Sequence, residues 1–281
     1  MAGSALACTA APPLSYLARG PHVPLAAFAA SFPRRSPPEA SLRALPVVLT
    51  IYGGAWERGS PRNDAQFNAT IASWGYRVIA LDYPHAPKMR WPAQRDAIVK
   101  AIDALRVPRV AVLGHSSGAQ LALIAAALRP NRVDAVITYE SPVDLALGYR
   151  YPSQPDVIDI RRILRDLCGG TPQEQPHCYR TASPRYAVVP GMPPVLMIAG
   201  GRDHVANATY ERLLRDVLRR DRVTVEYVEL PWADHAFETV AAGFHNRIAF
   251  WYLRRFLDSH TKTASRPSGS AMPFVKRLSP I

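Results

Sequence analysis

The sequence predicts an α/β fold in which a mostly parallel central sheet is flanked by helices on both faces. First, short apolar runs alternate with amphipathic stretches of helical periodicity, as in strands joined by crossover helices. Second, several of these runs end in glycine, serine or acidic residues, and the carboxyl ends of parallel strands form the functional edge of such a sheet. Third, a length of 281 residues suits one large domain.

Five strands are predicted from apolar runs of strand length. Residues 46–52 carry no charged side chain, and residues 107–113 lead directly into a turn with glycines at both ends. Residues 133–138 and 194–199 are two further short apolar runs. Residues 223–230 alternate between apolar and polar side chains, which is the period of a strand with two different faces.

Four helices are predicted between these strands. Residues 96–105 place Ile98, Ala101, Ile102 and Leu105 on one side. Residues 119–128 form an apolar run after the glycine turn, and residues 157–167 form an amphipathic stretch. Residues 209–218 place Leu213, Leu214, Val217 and Leu218 on one face.

The turn Gly114-His115-Ser116-Ser117-Gly118 lies between a predicted strand and a predicted helix. A Gly-x-Ser-x-Gly turn in this context is a nucleophile elbow, in which a Cβ at either glycine position would crowd the strand or the helix. The turn holds its serine in a strained conformation at the positive end of the helix. Ser116 is therefore the predicted nucleophile of an acyl-transfer reaction.

A glycine-rich loop, Gly53-Gly54-Ala55-Trp56, follows the first predicted strand. Backbone N–H groups that are fixed in advance stabilise the negative charge on a carbonyl oxygen during acyl transfer. The N–H groups of Gly54, Ala55 and Ser117 are the predicted oxyanion hole, and an ordinary strand-to-loop turn is the alternative.

An acid and a base follow the last two predicted strands. Asp203 comes after the strand at 194–199, and His235 comes after the strand at 223–230. The order serine, aspartate, histidine is the one expected for a catalytic triad on this kind of sheet. His204 and Asp234 are rivals, but His204 occurs too early in the topology, and Asp234 is adjacent to His235, so that their side chains diverge.

These segments resemble those of an α/β-hydrolase of the group that includes the hormone-sensitive-lipase-like carboxylesterases, the BD-FAE family and the kynurenine formamidases. The resemblance covers residues 46–257 and rests on segments 52–56, 81–96, 114–119, 200–203 and 234–237. Tyr52 stands where the family has a histidine, and Ala55 stands where it has a third glycine. The oxyanion donors are backbone groups, so Ala55 still supplies one.

The resemblance implies an α/β-hydrolase fold and a serine hydrolase that cleaves carboxylic esters of small to medium acyl chains through an acyl-enzyme on Ser116. No metal or organic cofactor is expected, and the expected partner is a small-molecule ester or amide. An arylformamidase or another amidase is an alternative, because the same triad cleaves amides. A non-catalytic ligand-binding relative is a second alternative, against which the intact triad argues.

Three regions are predicted along the chain. Residues 1–45 are rich in Ala, Pro and Arg and match the fold poorly, residues 46–260 form the catalytic domain, and residues 261–281 form a tail expected to be mobile. Within the domain the regular pattern breaks at about residues 145–190. We expect a cap there, inserted after the strand that follows the nucleophile helix.

The expected function of the cap is that of a lid over the acyl pocket, with a surface excursion as the alternative. Trp56, Ile163 and Leu164 are predicted to line this pocket.

A formal net charge of +12 invites a nucleic-acid hypothesis, but the basic residues are scattered and form no block or basic-aromatic stripe. No nucleic-acid partner is therefore expected, and the longest apolar stretch, 110–128, is interrupted by polar residues and does not reach membrane-spanning length. The sequence leaves the oligomeric state open.

The three cysteines, Cys8, Cys168 and Cys178, lack the spacing of a metal site. A bridge between Cys168 and Cys178 would suit an exported protein, whereas two unpaired apolar fillers would suit a cytoplasmic one, and the second interpretation is favoured. A cytoplasmic location is expected, with an exported or lipid-anchored form at Cys8 as the alternative if translation starts upstream.

Overall fold

One parallel sheet organises the protein, whose computed structural model describes residues 45–240 and 243–261. The strands within those residues are β1 (Val47–Ile51), β2 (Arg77–Leu81), β3 (Val110–His115), β4 (Val133–Tyr139), β5 (Val195–Gly200) and β6 (Val225–Leu230). Their order is β2-β1-β3-β4-β5-β6, and every neighbouring pair is parallel. The chain therefore changes direction across the sheet between β1 and β3, where α/β proteins place ligands.

Helices cover both faces of this sheet. They are α1 (Ala65–Ser73), α2 (Ala93–Ala104), α3 (Ser117–Leu128), α4 (Leu145–Arg150), α5 (Ile160–Cys168), α6 (Pro176–Thr181), α7 (Ala208–Arg220) and α8 (Phe244–His260). Alternate residues of each strand point to opposite faces. One face packs against α2, α3 and α7, and the other packs against α1 and α8.

Helix α3 is buried around almost its whole circumference. Its residues from Ser117 to Ala126 are all buried, and most of them are alanine, leucine or isoleucine. A helix that is apolar on every side lies inside the protein. This burial fixes the helix that begins directly after the predicted nucleophile, Ser116.

The structure adds elements that the sequence patterns did not indicate. Strand β2 has only five residues, of which one is exposed and the others are half-buried, and it was not predicted although four of the five are apolar. The predicted strand at 107–113 is shifted, since β3 begins at Val110 and extends to His115. The predictions for residues 1–45 and 261–281 fall almost wholly outside the described residues.

Between β4 and β5 the chain forms a small layer with its own apolar core. Helices α4, α5 and α6 contribute Leu145, Ile163, Leu164, Leu167 and Tyr179, which are all buried. The single helix predicted at 157–167 corresponds to α5, while α4 and α6 are too short to show a periodic pattern. We call the segment 145–186 the cap.

A disulfide joins Cys168 at the end of α5 to Cys178 in α6, with 5.6 Å between the Cα atoms. The favoured sequence interpretation, two unpaired cysteines, is therefore wrong. The bridge lies in the apolar core of the cap, where both cysteines are at least nine-tenths buried. A reversal of the chain brings the two cysteines together, and spacing alone does not reveal it.

None of the helices in residues 45–240 and 243–261 has both the length and the apolar character needed to cross a bilayer.

Candidate active site

Ser116 lies on a tight turn between β3 and α3. Its backbone angles, φ 50° and ψ −120°, are unusual for a residue other than glycine. A Cβ at Gly114 would lie 2.2 Å from the Gly118 carbonyl oxygen, and a Cβ at Gly118 would lie 2.1 Å from that of Ile51. Only glycine fits at both positions, and the Ser116 N–H is held by the Tyr139 carbonyl at 2.8 Å. The local sequence therefore forces the serine side chain above the sheet edge.

The structure brings Ser116, His235 and Asp203 into one hydrogen-bonded chain. Ser116 Oγ lies 3.0 Å from His235 Nε2, and His235 Nδ1 lies 2.7 Å from Asp203 Oδ2. The other carboxylate oxygen of Asp203 accepts the N–H groups of Val205 and Ala206, each at 2.7 Å. The aspartate side chain is thus buried, fully hydrogen-bonded and fixed in orientation. This is the arrangement in which an imidazole takes a hydroxyl proton.

The two rival residues pair with each other. His204 Nδ1 lies 2.9 Å from Asp234 Oδ2, and both side chains are exposed. Asp234 meets His235 only at the backbone, where its Oδ1 accepts the His235 N–H at 2.8 Å. Among the described residues, only Asp203 hydrogen-bonds the His235 ring through a carboxylate.

The loop after β1 has three consecutive residues in left-handed or related conformations. The φ values of Gly54, Ala55 and Trp56 are 139°, 54° and 62°. The Gly54 carbonyl accepts the N–H groups of Glu57 and Arg58 at 3.1 and 3.2 Å, which closes the turn. Alanine is disfavoured in the left-handed region by roughly 1–2 kcal/mol, so the surrounding contacts must hold this loop.

The predicted oxyanion donors face one cavity. Gly54, Ala55 and Ser117 line the same cavity as Ser116 and His235. The N–H groups of Gly54 and Ala55 have no acceptor within the described chain, and Ser117 is the first residue of α3, whose N–H has no partner inside the helix. These amides are therefore available to an oxygen bound beside Ser116.

Tyr52, which replaces the histidine usual in the family pattern, supports the loop after β1. Its hydroxyl donates to Asp82 Oδ1 and lies 2.9 Å from His85 Nε2, while its ring stacks on Tyr83 at 4.5 Å. A Cβ at Gly59 would lie 2.6 Å from the Tyr52 ring, so the loop packs directly on this tyrosine. Burial, followed by the Asp82 hydrogen bond, raises the pKa of Tyr52, which keeps the hydroxyl a donor.

The cavity above Ser116 has a volume of about 360 Å³. Trp56 and Leu164 line it, as predicted from the sequence. Ile163 does not belong to the lining and packs instead in the cap core, 2% exposed. Further apolar lining residues are Val143, Leu145, Ile158 and Ile160. The cap thus supplies Leu145, Ile158, Ile160 and Leu164 to the apolar wall.

Two polar links connect the cap to helix α3 and to the loop after β1. The Trp56 indole donates to Gln120 Oε1 at 3.0 Å, and the Gln120 amide donates to the Ala182 carbonyl at 2.7 Å. Arg162 on α5 donates from both terminal nitrogens to the Glu57 carboxylate, at 2.8 and 3.0 Å. A bidentate pair of this kind fixes orientation as well as distance.

A second carboxyl, which sequence analysis missed, faces the His235 ring. Glu140 directly follows β4, is 1% exposed, and has an oxygen 3.5 Å from His235 Nδ1. Burial and then the charges of Glu238 and Asp203 hold its pKa well above the usual range. The signal in the sequence was an acid at the end of an apolar strand, the same signal that identified Asp203.

His115, the neighbour of the nucleophile, forms a buried pair with Glu238. His115 Nδ1 lies 3.2 Å from Glu238 Oε1, and its Nε2 lies 3.9 Å from Asp64 Oδ2. Burial acts to lower the pKa of His115, but the hydrogen bond and charge of Glu238 outweigh it and the pKa is raised. The pair joins the serine turn to the short 3-10 helix Phe237–Thr239, which follows His235.

Glu140, Asp203 and His235 also carry the kinds of donor atom that bind metal ions. Ligand atoms of Glu140, Asp203 and His235 lie within 4.8 Å of one another. Because His235 Nδ1 already hydrogen-bonds Asp203, this cluster is accounted for by proton chemistry. That no metal or organic cofactor is needed stays a prediction.

Comparison with known protein families identifies the family of this chain. The BD-FAE family model matches residues 36–218, which include Ser116 and Asp203. The chain belongs to the BD-FAE family. The family resemblance predicted from the sequence is therefore confirmed.

Curated relatives of this BD-FAE chain include two esterases of Mycobacterium tuberculosis. Esterase LipC is 30% identical over 216 residues, which cover 69% of this chain and 53% of LipC. Esterase LipQ is 26% identical over 246 residues, which cover 79% of this chain and 57% of LipQ. The BD-FAE chain thus spans about half the length of the curated relatives it matches.

Solved structures establish the fold. An esterase from Pyrobaculum calidifontis superposes with a TM-score of 0.67 at 23% identity, covering 76% of each chain. A structure from an analysis of two fungal esterases of Rhizomucor miehei gives 0.68 at 19% identity, covering 80% of this chain and 77% of the fungal one. The predicted α/β-hydrolase fold is confirmed.

Proposed function

We propose that this BD-FAE protein is a serine hydrolase that cleaves carboxylic esters of small to medium acyl chains through an acyl-enzyme on Ser116. The observation that carries the proposal is the unbroken hydrogen-bonded chain from Ser116 through His235 to Asp203, opening on a cavity. The esterases named among its relatives and structural neighbours support the same chemistry.

Acylation begins with proton transfer from Ser116 Oγ to His235 Nε2 as the oxygen attacks the ester carbonyl carbon. Asp203 stabilises the resulting imidazolium through the hydrogen bond to Nδ1. The tetrahedral intermediate collapses when His235 returns the proton to the leaving alcohol oxygen. A water molecule then repeats the sequence on the acyl-enzyme, and the carboxylic acid is released. These steps use only protein groups and water.

The negative oxygen of each tetrahedral intermediate is proposed to bind the N–H groups of Gly54, Ala55 and Ser117. Removing one such donor in other hydrolases lowers turnover by roughly 10²- to 10³-fold. The hydrogen bonds to the Gly54 carbonyl and the packing of the loop on Tyr52 hold two of these amides in place before substrate binds. Preorganised donors need no rearrangement as the charge develops.

The proposed acyl site is the apolar part of the cavity beneath the cap. Its walls contain Val143, Leu145, Ile158, Ile160 and Leu164. Each methylene buried there contributes about 0.8 kcal/mol to binding. A panel of p-nitrophenyl esters from acetyl to decanoyl, with N-formylkynurenine as the amide substrate, tests both the reaction and its chain-length optimum. Turnover of the amide alone would replace the esterase proposal by the arylformamidase alternative.

Leu164 and Ile163 provide a matched test of the acyl site, because they are neighbours on α5 and only Leu164 lines the cavity. Leu164→Ala is expected to lower kcat/KM for hexanoyl esters several-fold more than for acetyl esters, since it removes apolar contact with the longer chain only. Steady-state kinetics with both esters measures this ratio.

Ile163→Ala is the control for that experiment. It removes a buried side chain from the same helix, so a similar loss of stability is expected, about 2–5 kcal/mol for either variant. The ratio between hexanoyl and acetyl esters should stay at the wild-type value in Ile163→Ala. Equal ratios in both variants would show that the cap does not bind the acyl chain.

We propose that the protein acts in an oxidising compartment, as in the exported alternative, and not in the cytoplasm. The Cys168–Cys178 bridge supports this proposal, because structural disulfides persist where thiols are not kept reduced. The proposed partners remain small-molecule esters, with no nucleic acid.

The disulfide gives a prediction for stability. The double variant Cys168→Ser, Cys178→Ser is expected to lose about 2–3 kcal/mol, because the bridge closes a short loop in the unfolded chain. Thermal unfolding with and without dithiothreitol measures the loss, and the reductant should leave the double variant unaffected. If thiol labelling in native cells before lysis finds Cys168 and Cys178 reduced, the compartment proposal is wrong.

A further inference from the structure

Glu140 occupies a position on the histidine that the proposed reaction does not use. One of its carboxyl oxygens accepts the N–H of Ala236, the residue after His235, and the same oxygen lies 3.5 Å from His235 Nδ1. Asp203 reaches the same ring nitrogen at 2.7 Å. Two carboxyl groups on different strands therefore converge on one imidazole nitrogen.

The backbone of Glu140 is strained, which sets it apart from other buried acids. Its φ of 53° is in the left-handed region, where residues with a Cβ are uncommon. The strain is held by flanking bonds, because the Glu140 N–H donates to the Ile198 carbonyl at 2.9 Å and the preceding Tyr139 carbonyl accepts the Ser116 N–H at 2.8 Å. Such outliers concentrate at functional sites, where the surrounding structure enforces them.

The second oxygen of Glu140 is buried and has no hydrogen-bond partner among the described residues. The titratable groups that interact electrostatically with the Glu140 carboxyl are Asp203, Glu211, Glu238 and Tyr139, and the His235 ring lies beside it. Burial and then the charges of Glu238 and Asp203 raise the pKa of Glu140, so that its neutral form is favoured. Ligand oxygens of Glu140 and Asp203 lie within 4.8 Å of each other, and two buried carboxylates this close repel, which favours protonation of one of them.

We propose that Glu140 is a second carboxyl of the triad, a positioning residue that orients the His235 loop through Ala236 and replaces Asp203 as partner of Nδ1 when Asp203 is removed. In that replacement Glu140 releases its proton to solvent, and its carboxylate accepts the Nδ1–H of His235. Loss of the Asp203 charge favours this ionisation, because one source of repulsion is gone. The inference rests on the proposed serine hydrolase function.

The test compares the loss of Asp203 with and without Glu140. In Asp203→Ala the rate of ester hydrolysis should fall by about 10²- to 10³-fold, less than the roughly 10⁴-fold typical of a triad without its acid. Adding Glu140→Gln should lower the rate at least ten-fold further, although glutamine still accepts the Ala236 N–H. The rate of Ser116 phosphonylation by a fluorophosphonate is measured in parallel, since it reports on the base without an ester substrate.

Glu211→Gln is the matched control in the Asp203→Ala background. Glu211 is a fully buried carboxyl on α7 that interacts electrostatically with Asp203 but has no hydrogen bond or ion pair with His235 among the described contacts. Its replacement should leave the rate of Asp203→Ala unchanged. An equal further loss from Glu211→Gln and from Glu140→Gln would show a general effect of buried acids and overturn the proposal.

The pH dependence of the remaining activity distinguishes a positioning role of Glu140 from a purely structural one. In Asp203→Ala the remaining activity should increase as pH rises through the ionisation of Glu140, because only the ionised carboxylate has the negative charge that stabilises the His235 imidazolium. That increase should be absent in the variant that also carries Glu140→Gln. If Asp203→Ala does not fold, Asp203→Asn serves instead, because its amide oxygen still accepts the N–H groups of Val205 and Ala206.

The outcomes distinguish a failure of the proposed hydrolase function from a failure of the proposed role of Glu140. A wild-type protein that neither hydrolyses esters nor reacts with the fluorophosphonate at Ser116 would overturn the proposed function and with it the role of Glu140. A reactive wild type in which Glu140→Gln adds no loss to Asp203→Ala would overturn only the second carboxyl.

Discussion

Ser116→Ala is expected to lower ester hydrolysis by about 10⁴- to 10⁶-fold, because the variant has no hydroxyl to form the acyl-enzyme. The fold should persist, since the side chain is partly exposed and its only described side-chain hydrogen bond is with His235. Initial rates on p-nitrophenyl butyrate, with thermal unfolding of the same samples, measure both effects.

Covalent labelling provides the control for Ser116. A fluorophosphonate should add one adduct to the wild-type peptide that contains Ser116 and none to the corresponding peptide of the alanine variant. An adduct on another serine, or a rate for Ser116→Ala within ten-fold of the wild type, would show that the nucleophile has been misassigned.

His235→Ala is expected to reduce turnover by about 10⁴-fold or more, because Ser116 then has no base within hydrogen-bonding distance. His204→Ala is the matched control: this histidine lies beside Asp203 in the sequence, is exposed, and pairs with Asp234. Its loss should change turnover by no more than a few-fold. Steady-state kinetics on one ester compares the two variants directly.

Asp234→Asn extends the same comparison to the acids. Asparagine retains an oxygen that accepts the His235 N–H, so activity should remain close to that of His204→Ala. A severe loss in Asp234→Asn, with Asp203→Asn remaining active, would mean that the acid of the triad is Asp234.

The arrangement of Ser116, Asp203 and His235 was predictable because each residue follows a strand that the sequence pattern predicts. Parallel strands bring their carboxyl ends to one edge of the sheet, so residues far apart in sequence meet there. The glycines at 114 and 118 carry their own local signal, since the contacts around them admit no Cβ. The sequence contained enough information for this part of the site because it depends on topology and on single close approaches.

Other features depend on packing that a linear pattern does not encode. Ile163 and Leu164 are adjacent apolar residues on α5, and only the three-dimensional position of the helix decides which of them lines the cavity. Strand β2 is a run of only five residues at the edge of the sheet, and such a short run is not distinguished from a helical segment by periodicity alone. The Cys168–Cys178 bridge requires α6 to fold back on α5, which neither the spacing nor the composition of the segment reveals.

Glu140 shows a different limit of sequence reasoning. An acid at the end of a strand is a visible signal, but a triad needs only one acid, and the position of Asp203 matched the expected order. The contact with His235 became evident only from the convergence of two strands and a left-handed backbone at Glu140.

The bidentate pair between Arg162 and Glu57 connects the cap directly to the loop after β1. Glu57 is the immediate neighbour of Trp56, so the pair links helix α5 to the loop that carries Gly54 and Ala55. In the proposed reaction, this pair would couple acyl selectivity to transition-state stabilisation. A cap transplanted from a relative would have to bring a cation at the position of Arg162, or the graft would change the rate of every substrate together with the preference among them.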